Sequence, residues 1–193
     1  ANYDPTATMD DGSCIYCNGL GTDTIIPGLP GAQFTSYATR GYLFQAQSSF
    51  VISSVHASDG NTDGVSANSQ SVEIVDFGNS PPVDSPVPTP HTILFAAIDA
   101  GSGWLPCNVN IVAGNYYGVI GAKNDAGGTT MYNSYPNGSS SQAIVMLDGI
   151  STQLTRLYTS NCLALGSTTS GEYFTESASP YYIGRIDLIK HFN

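Results

Sequence analysis

From Ile25 onward, short clusters of Val, Ile, Leu, Tyr and Phe are separated by Gly, Pro, Asn, Asp and Ser, which is the spacing of strands and turns. Nine segments read as strands: Gln33–Ala46, Phe50–Ala57, Ser71–Phe77, Thr92–Ile98, Cys107–Val112, Tyr116–Ala122, Ala143–Leu147, Gln153–Tyr158 and Tyr181–Ile189. Within them Asn108-Val109-Asn110-Ile111 alternates at period two, and Tyr42 and Phe44 share one face. Ile93 to Ile98 is apolar on both faces, so this strand is expected in the middle of a sheet or sandwich. Glu73 lies between Val72 and Ile74, and alternation is expected to turn it to solvent. The pattern predicts an all-β fold, a two-sheet antiparallel β-sandwich of jelly-roll type over residues 25–193.

Two segments break the alternation. Residues 79–90 carry five of the eleven prolines, so they cannot donate a regular ladder and read as a stiff crossover between sheets. Thr168–Ser179 places Glu172 and Glu176 at helical spacing, but Gly171 and its Ser and Thr content favour a loop. Residues 1–24 hold Asp4, Asp10, Asp11, Asp23, two cysteines and three glycines, with almost nothing to form a core. They read as a short extended segment, an acidic linker or the fragment of a small stapled module.

Composition narrows the partners. Fifteen Asp and Glu against five Lys and Arg give a net charge of −10, which repels nucleic-acid phosphates and anionic membrane surfaces alike. No run of about 18 apolar residues exists to insert into a membrane. Four cysteines, with polar positions filled by Ser, Thr, Asn and Tyr, suit a secreted protein, whose signal would lie upstream of Ala1.

Catalysis finds few candidates. Histidines occur only at His56, His91 and His191, with no Gly-x-Ser-x-Gly elbow and no His-Glu-x-x-His. The Glu172 and Glu176 pair is the nearest approach to a glycosidase dyad, and a solvated loop pair explains it more simply. Asp59-Gly60-Asn61-Thr62-Asp63-Gly64 opens like a calcium loop, with Asp59, Asn61 and Asp63 as oxygen donors, but its twelfth position is Gln70 and not Glu. An Asx turn between strands accounts for the same letters.

Cys14-Ile15-Tyr16-Cys17 has redox spacing, yet its acidic, Gly-rich flanks lack the strand and helix of a redox site. Cys107 and Cys162 are then expected to form a second disulfide, worth ~3–4 kcal/mol in chain-entropy terms. Aromatic residues beside amides suit sugar stacking: Trp104 after Gly101-Ser102-Gly103, and Tyr132 and Tyr135 around Asn133. Tyrosines also serve protein contacts, and in adjacent pairs one ring is expected to face the core.

Asn2-Tyr3-Asp4-Pro5-Thr6-Ala7-Thr8-Met9-Asp10-Asp11-Gly12-Ser13-Cys14 resembles the cysteine-bearing "NYDPxAxxDDGSC" repeats of large secreted surface proteins of Bacteroidetes-type bacteria. That resemblance implies that Cys14 pairs with a cysteine preceding the Asn-Tyr, leaving Cys14–Cys17 or an intermolecular bond as the alternatives here. Acids such as Asp4, Asp10 and Asp11 resemble the calcium ligands of thrombospondin-type linker repeats, which implies calcium ligation there. More weakly, Thr39-Arg40-Gly41-Tyr42-Leu43-Phe44 and Ile183-Gly184-Arg185-Ile186-Asp187-Leu188 resemble secreted β-domains of the same bacteria. The expected protein is a non-catalytic structural or adhesive module at a bacterial cell surface, associating with itself or other surface proteins and able to form filaments. The alternative is a carbohydrate-binding module recognising glycans; a polysaccharide-active enzyme comes third.

Overall fold

In the computed structural model, thirteen strands among the described residues pair antiparallel into two facing sheets. The structure describes residues 22–27, 30–35, 39–57, 69–84, 87–124, 131–136, 142–147, 149–160, 162–163, 166–176 and 183–192. The strands are β1 (Thr22–Ile25), β2 (Pro30–Thr35), β3 (Arg40–Gln45), β4 (Phe50–Ala57), β5 (Ser69–Gly78), β6 (Thr92–Gly101) and β7 (Leu105–Ile111). They continue as β8 (Tyr116–Asn124), β9 (Met131–Pro136), β10 (Gln142–Leu147), β11 (Ile150–Thr159), β12 (Phe174–Glu176) and β13 (Ile186–Phe192).

One sheet has four strands in the order β1-β13-β4-β7. The other has nine: β10-β11-β3-β8-β5-β6 in sequence, with β12 beside β11 and β9 joining β8 to β2. The β-sandwich expected from the alternation is therefore the observed architecture. Its inter-sheet core interleaves Phe50, Ile52, Val55 and Leu188 of the small sheet with Tyr42, Phe44, Val72, Tyr117 and Val119 of the large one. Tyr42 and Phe44 do share the core face. Tyr117 is fully buried and its neighbour Tyr116 points the other way, as the pairing of opposite faces requires.

The small sheet shows why its alternation is imperfect. Along β4 the inward positions change from Phe50 and Ile52 to Val55 and Ala57, because Ser53 is an extra residue opposite β13. Such a bulge absorbs one residue and restores the apolar face. The Ser53 hydroxyl donates to the Ile189 carbonyl at 3.2 Å, which satisfies the carbonyl where the ladder slips.

The centre of the large sheet is buried on both faces. Behind it lies a second cluster of Leu43, Val75, Ile120, Leu157, Leu163 and Phe174, which explains the uninterrupted buried runs along β3 and β5. The cover is a third layer built from the described residues among 162–176 and of the proline segment. Phe174 meets Phe77 edge-on at 5.1 Å and His91 at 4.9 Å. The two cover pieces are stitched by Thr89 N to Glu172 O at 3.0 Å, Phe174 N to Thr89 Oγ1 at 3.0 Å and Thr175 Oγ1 to Asp84 Oδ1 at 3.2 Å.

Three sequence expectations are corrected here. The proline segment joins β5 to β6, neighbours in one sheet, so it is a covering loop and not a crossover between sheets. β6, with Ile93–Ile98, is an edge strand whose second apolar face meets the cover. Glu73 is fully buried, because the cover lies over the face that alternation assigned to solvent. Its carboxylate accepts the Thr169 backbone N–H at 3.1 and 3.2 Å and the Thr169 hydroxyl at 2.6 Å.

Close backbone approach fixes the sheet centre. A methyl group on Gly41 would sit 1.8 Å from the Val119 carbonyl oxygen, and one on Gly184 would strike the backbone of Arg40. These glycines meet, Gly184 N donating to Gly41 O at 3.2 Å. Gly41→Ala is expected to cost ~3 kcal/mol or more by prising β3 from β8. Gly103→Ala, facing open space, should leave the urea midpoint nearly unchanged.

Burial pushes the Glu73 carboxyl above its ordinary value of 4.5, against the opposing effects of the Thr169 hydrogen bonds and His91. The folded chain then holds this proton more tightly than the unfolded chain does. The stability it contributes is fully present below pH 4.5 and is lost as pH rises through the folded-state pKa. Thermal melts of wild type and Glu73→Gln should show a difference that moves against the wild type on going from below pH 4.5 towards neutrality; a flat difference would contradict it.

Candidate functional site

Two surface regions bring chemistry-bearing side chains together. The first surrounds Trp104. Buried Gln70, on β5, accepts the Ala57 N–H at 2.8 Å through its side-chain oxygen and donates to the Gly101 carbonyl at 2.7 Å. It donates to the Gly103 carbonyl as well. One amide thus clamps the β6–β7 turn, and His56 Nε2 lies 3.2 Å from the Ser102 carbonyl oxygen. The Trp104 ring emerges 41% exposed, 5.4 Å from the His56 ring.

Behind His56 stands an ion pair. Arg185 donates from Nε and Nη2 to the two carboxylate oxygens of Asp187 at 2.9 and 3.0 Å, the bidentate geometry that makes a buried pair tolerable. His56 Nδ1 is 3.8 Å from Asp187 Oδ2, too long for a hydrogen bond. The hydroxyl of Tyr42 donates to Ile186 O at 2.8 Å, and burial, reinforced by the Asp187 charge, holds its pKa well above the ordinary range. These groups support the Trp104 ring and are committed to one another.

The second region was not legible as a site in the sequence. Antiparallel register aligns Gln142 with Thr155 and Thr155 with Leu43, then Leu43 with Gly118, on the outer face of the nine-stranded sheet. The next row along that face runs from Ile144 to Gln153 and, two residues beyond the Thr155–Leu43 pair, to Gln45 opposite Tyr116. Glu176 and Pro81 of the cover stand beside this row, and with it they line a groove of about 560 Å³. Alternating polar residues Ser151, Gln153 and Thr155 were the available signal, but only pairing shows that Gln45 and Tyr116 complete their row.

The charge around both regions is one-sided. Of the five basic residues, Lys123, Arg156, Arg185 and Lys190 are 0–7% exposed, and Arg40 is half-buried. Arg156 lies over the Tyr158 ring at 4.3 Å and Lys190 near the Phe50 ring at 5.5 Å. Asp23, Asp84 and Asp99 are exposed, so the described surface is acidic.

The remaining sequence candidates fall as follows. Tyr132, Asn133 and Tyr135 stand on β9, and Tyr132 pairs with Lys123, which pairs with Gln70. The backbone therefore puts Tyr132 at the same end of the sheet as the Trp104 turn, four strands across. Glu172 lies in the cover and Glu176 ends β12. Asp59, Asn61 and Asp63, together with Asp4, Asp10, Asp11, Cys14 and Cys17, lie outside the described residues. Among the described residues no cluster of three His, Cys, Asp or Glu is arranged to hold a metal.

The second disulfide is a correction. Cys107 and Cys162 are free thiols. Cys107 packs against the inter-sheet core and Cys162 within the cluster behind the large sheet, so that sheet stands between them and a bond is out of reach. Cys107 Sγ instead points to the Ile52 carbonyl at 3.3 Å.

Compared with known proteins, the chain matches no family model, no curated protein and no solved structure.

Burial pushes the Cys107 thiol up to about 11 and raises Cys162 as well, which keeps both protonated and unreactive at neutral pH. Iodoacetamide treatment of the native protein followed by peptide mapping should find both thiols largely unmodified and unlinked, with alkylation appearing on unfolding. A Cys107–Cys162 peptide would contradict the separation of the two cores.

Proposed function

We propose that this chain is a non-catalytic, extracellular structural or adhesive module of a bacterial surface protein, and that it associates with a second copy of itself edge to edge. The observation that carries the reading is β10. This six-residue edge strand, Gln142 to Leu147, contains no charge and no proline and pairs with β11 without a bulge. Ile144 is 73% and Met146 57% exposed.

Edge strands are normally guarded against pairing, and the other described edges are. β7 carries Pro106, Asn108 and Asn110; β6 pairs through two register shifts and holds Asp99 in the left-handed region at φ 50°; β1 is four residues long with Asp23 exposed. β10 has none of these devices. Two β10 strands pairing antiparallel about a two-fold axis would continue the large sheet from one copy into the next.

Charge points to the same edge. A chain of net charge −10 repels its own copies across most of its surface, and β10 offers a contact with no carboxylate facing another. The committed carboxylates support a non-catalytic role: Glu73 is held by Thr169 and Asp187 by Arg185. The resemblance of residues 2–14 to repeats of secreted surface proteins supplies the extracellular setting.

Sedimentation velocity over a concentration series should show reversible self-association that strengthens with added salt, as screening relaxes the acidic repulsion. The double variant Ile144→Lys with Met146→Lys should remain folded and sediment as a monomer throughout. A wild type that stays monomeric at the highest concentration, or a variant that associates equally well, would overturn the edge-to-edge reading.

A further inference from the structure

The groove on the outer face of the nine-stranded sheet is separate from the β10 edge, and its chemistry differs. Its floor is rigid, because β11, β3 and β8 are central strands paired on both sides. Side chains there stand in rows, ~4.8 Å apart across strands and ~6.8 Å apart along them. Gln153, Gln45 and Tyr116 form one row, with Ser151 and Gln47 in the next and Thr155 in the one before.

Two of the amides are already oriented. Gln45 Nε2 donates to the Gly114 carbonyl at 3.0 Å and Gln47 Nε2 to the Gln45 carbonyl at 3.3 Å. The remaining amide oxygen of each is left as an acceptor. Gln153 is exposed and brings both a donor and an acceptor. Tyr116 is half-buried, its ring packed on the second core, so it adds a partly exposed aromatic ring to the row.

The lining also excludes ligand classes. Among the described residues it holds no cation, which disfavours phosphates, sulfates and acidic sugars. A lone carboxylate, Glu176, adds an acceptor at the wall. The opening is wide and mostly polar, unlike the enclosed apolar sites that hold lipids or flat aromatic cofactors. Its volume of about 560 Å³ falls within the range of small-ligand sites. What remains is a ligand with many hydroxyls, no net charge and an apolar face to lie against a ring.

We infer that this groove binds a neutral oligosaccharide, with the amides of Gln45 and Gln153 bridging its hydroxyls and Tyr116 packing against its apolar face. This relocates glycan recognition from Trp104 and Tyr132 to the outer sheet face. The groove row continues to Ile144 of β10, but its three contact residues lie on β3, β11 and β8, so variants at Gln45 and Gln153 test it apart from the β10 variants.

The test uses soluble laminarin, mannan, xyloglucan and galactan, with alginate as an anionic comparison, in affinity electrophoresis followed by isothermal titration calorimetry. At least one neutral polymer should bind saturably and with little dependence on salt, while alginate should not bind. Gln153→Ala and Gln45→Ala, checked for folding by thermal melts, should each weaken binding by up to about tenfold, the effect of one lost hydrogen bond. Trp104→Ala should retain it. Absence of binding to all four neutral polymers, a preference for alginate, wild-type affinity in both Gln variants, or loss of binding in Trp104→Ala would each overturn the inference.

Discussion

The hydrogen bonds between Thr169 and Glu73 hold the layer on which the rest of the architecture depends. A sheet buried on both faces needs a cover on each, and here the four-stranded sheet supplies only one. The other is a strap of loop, turn and a three-residue strand, with little regular structure of its own. It stays down because Leu163 and Phe174 complete the second core and because a buried carboxylate at its centre takes hydrogen bonds from Thr169 of the strap. Leaving such a group unpaired costs ~1–3 kcal/mol or more, so the strap is pinned from beneath by the penalty of its own removal. Glu176 of the strap, with Pro81, lines the groove.

The charges are partitioned with comparable economy. Bases are few and are drawn inward, where Arg185 neutralises Asp187 and the long stems of Arg156 and Lys190 pack against rings. The described surface is left acidic, while β10 is uncharged and the groove carries one carboxylate, Glu176. A surface of this kind stays soluble and discourages indiscriminate contact, so the neutral regions are where specific contact is physically cheapest. In the proposed pairing of two β10 strands, the outer faces of both copies become one continuous surface carrying two grooves side by side. An adhesive built this way would gain avidity from ligands long enough to span both.

Much of the fold was legible in local letters. Apolar clusters bounded by turn residues marked nearly every long strand, and the Tyr116–Tyr117 pair divided between faces as adjacent strand residues must. The errors share one cause. Ile93–Ile98 was expected at a sheet centre, Glu73 in solvent and the proline segment between sheets, because each expectation assumed two layers. A third layer, made from residues distant in the chain, turned an edge strand's outer face apolar and a solvent face into core. The site was less legible still. Trp104 announced itself among glycines, whereas Gln45, Gln153 and Tyr116 are ordinary letters on three separate strands.

By itself the sequence determined the all-β class, the acidic balance and the face each strand residue would take, since these follow from side-chain alternation and composition alone. Only the tertiary structure decided what each face would meet. Which strand became an unguarded edge, which sheet was covered twice, why Cys107 and Cys162 stay apart and which polar residues share a row are all matters of pairing between segments far apart in the chain. Alternation carries no information about a strand's neighbour, so those outcomes depend on register and on the reach of the covering strap.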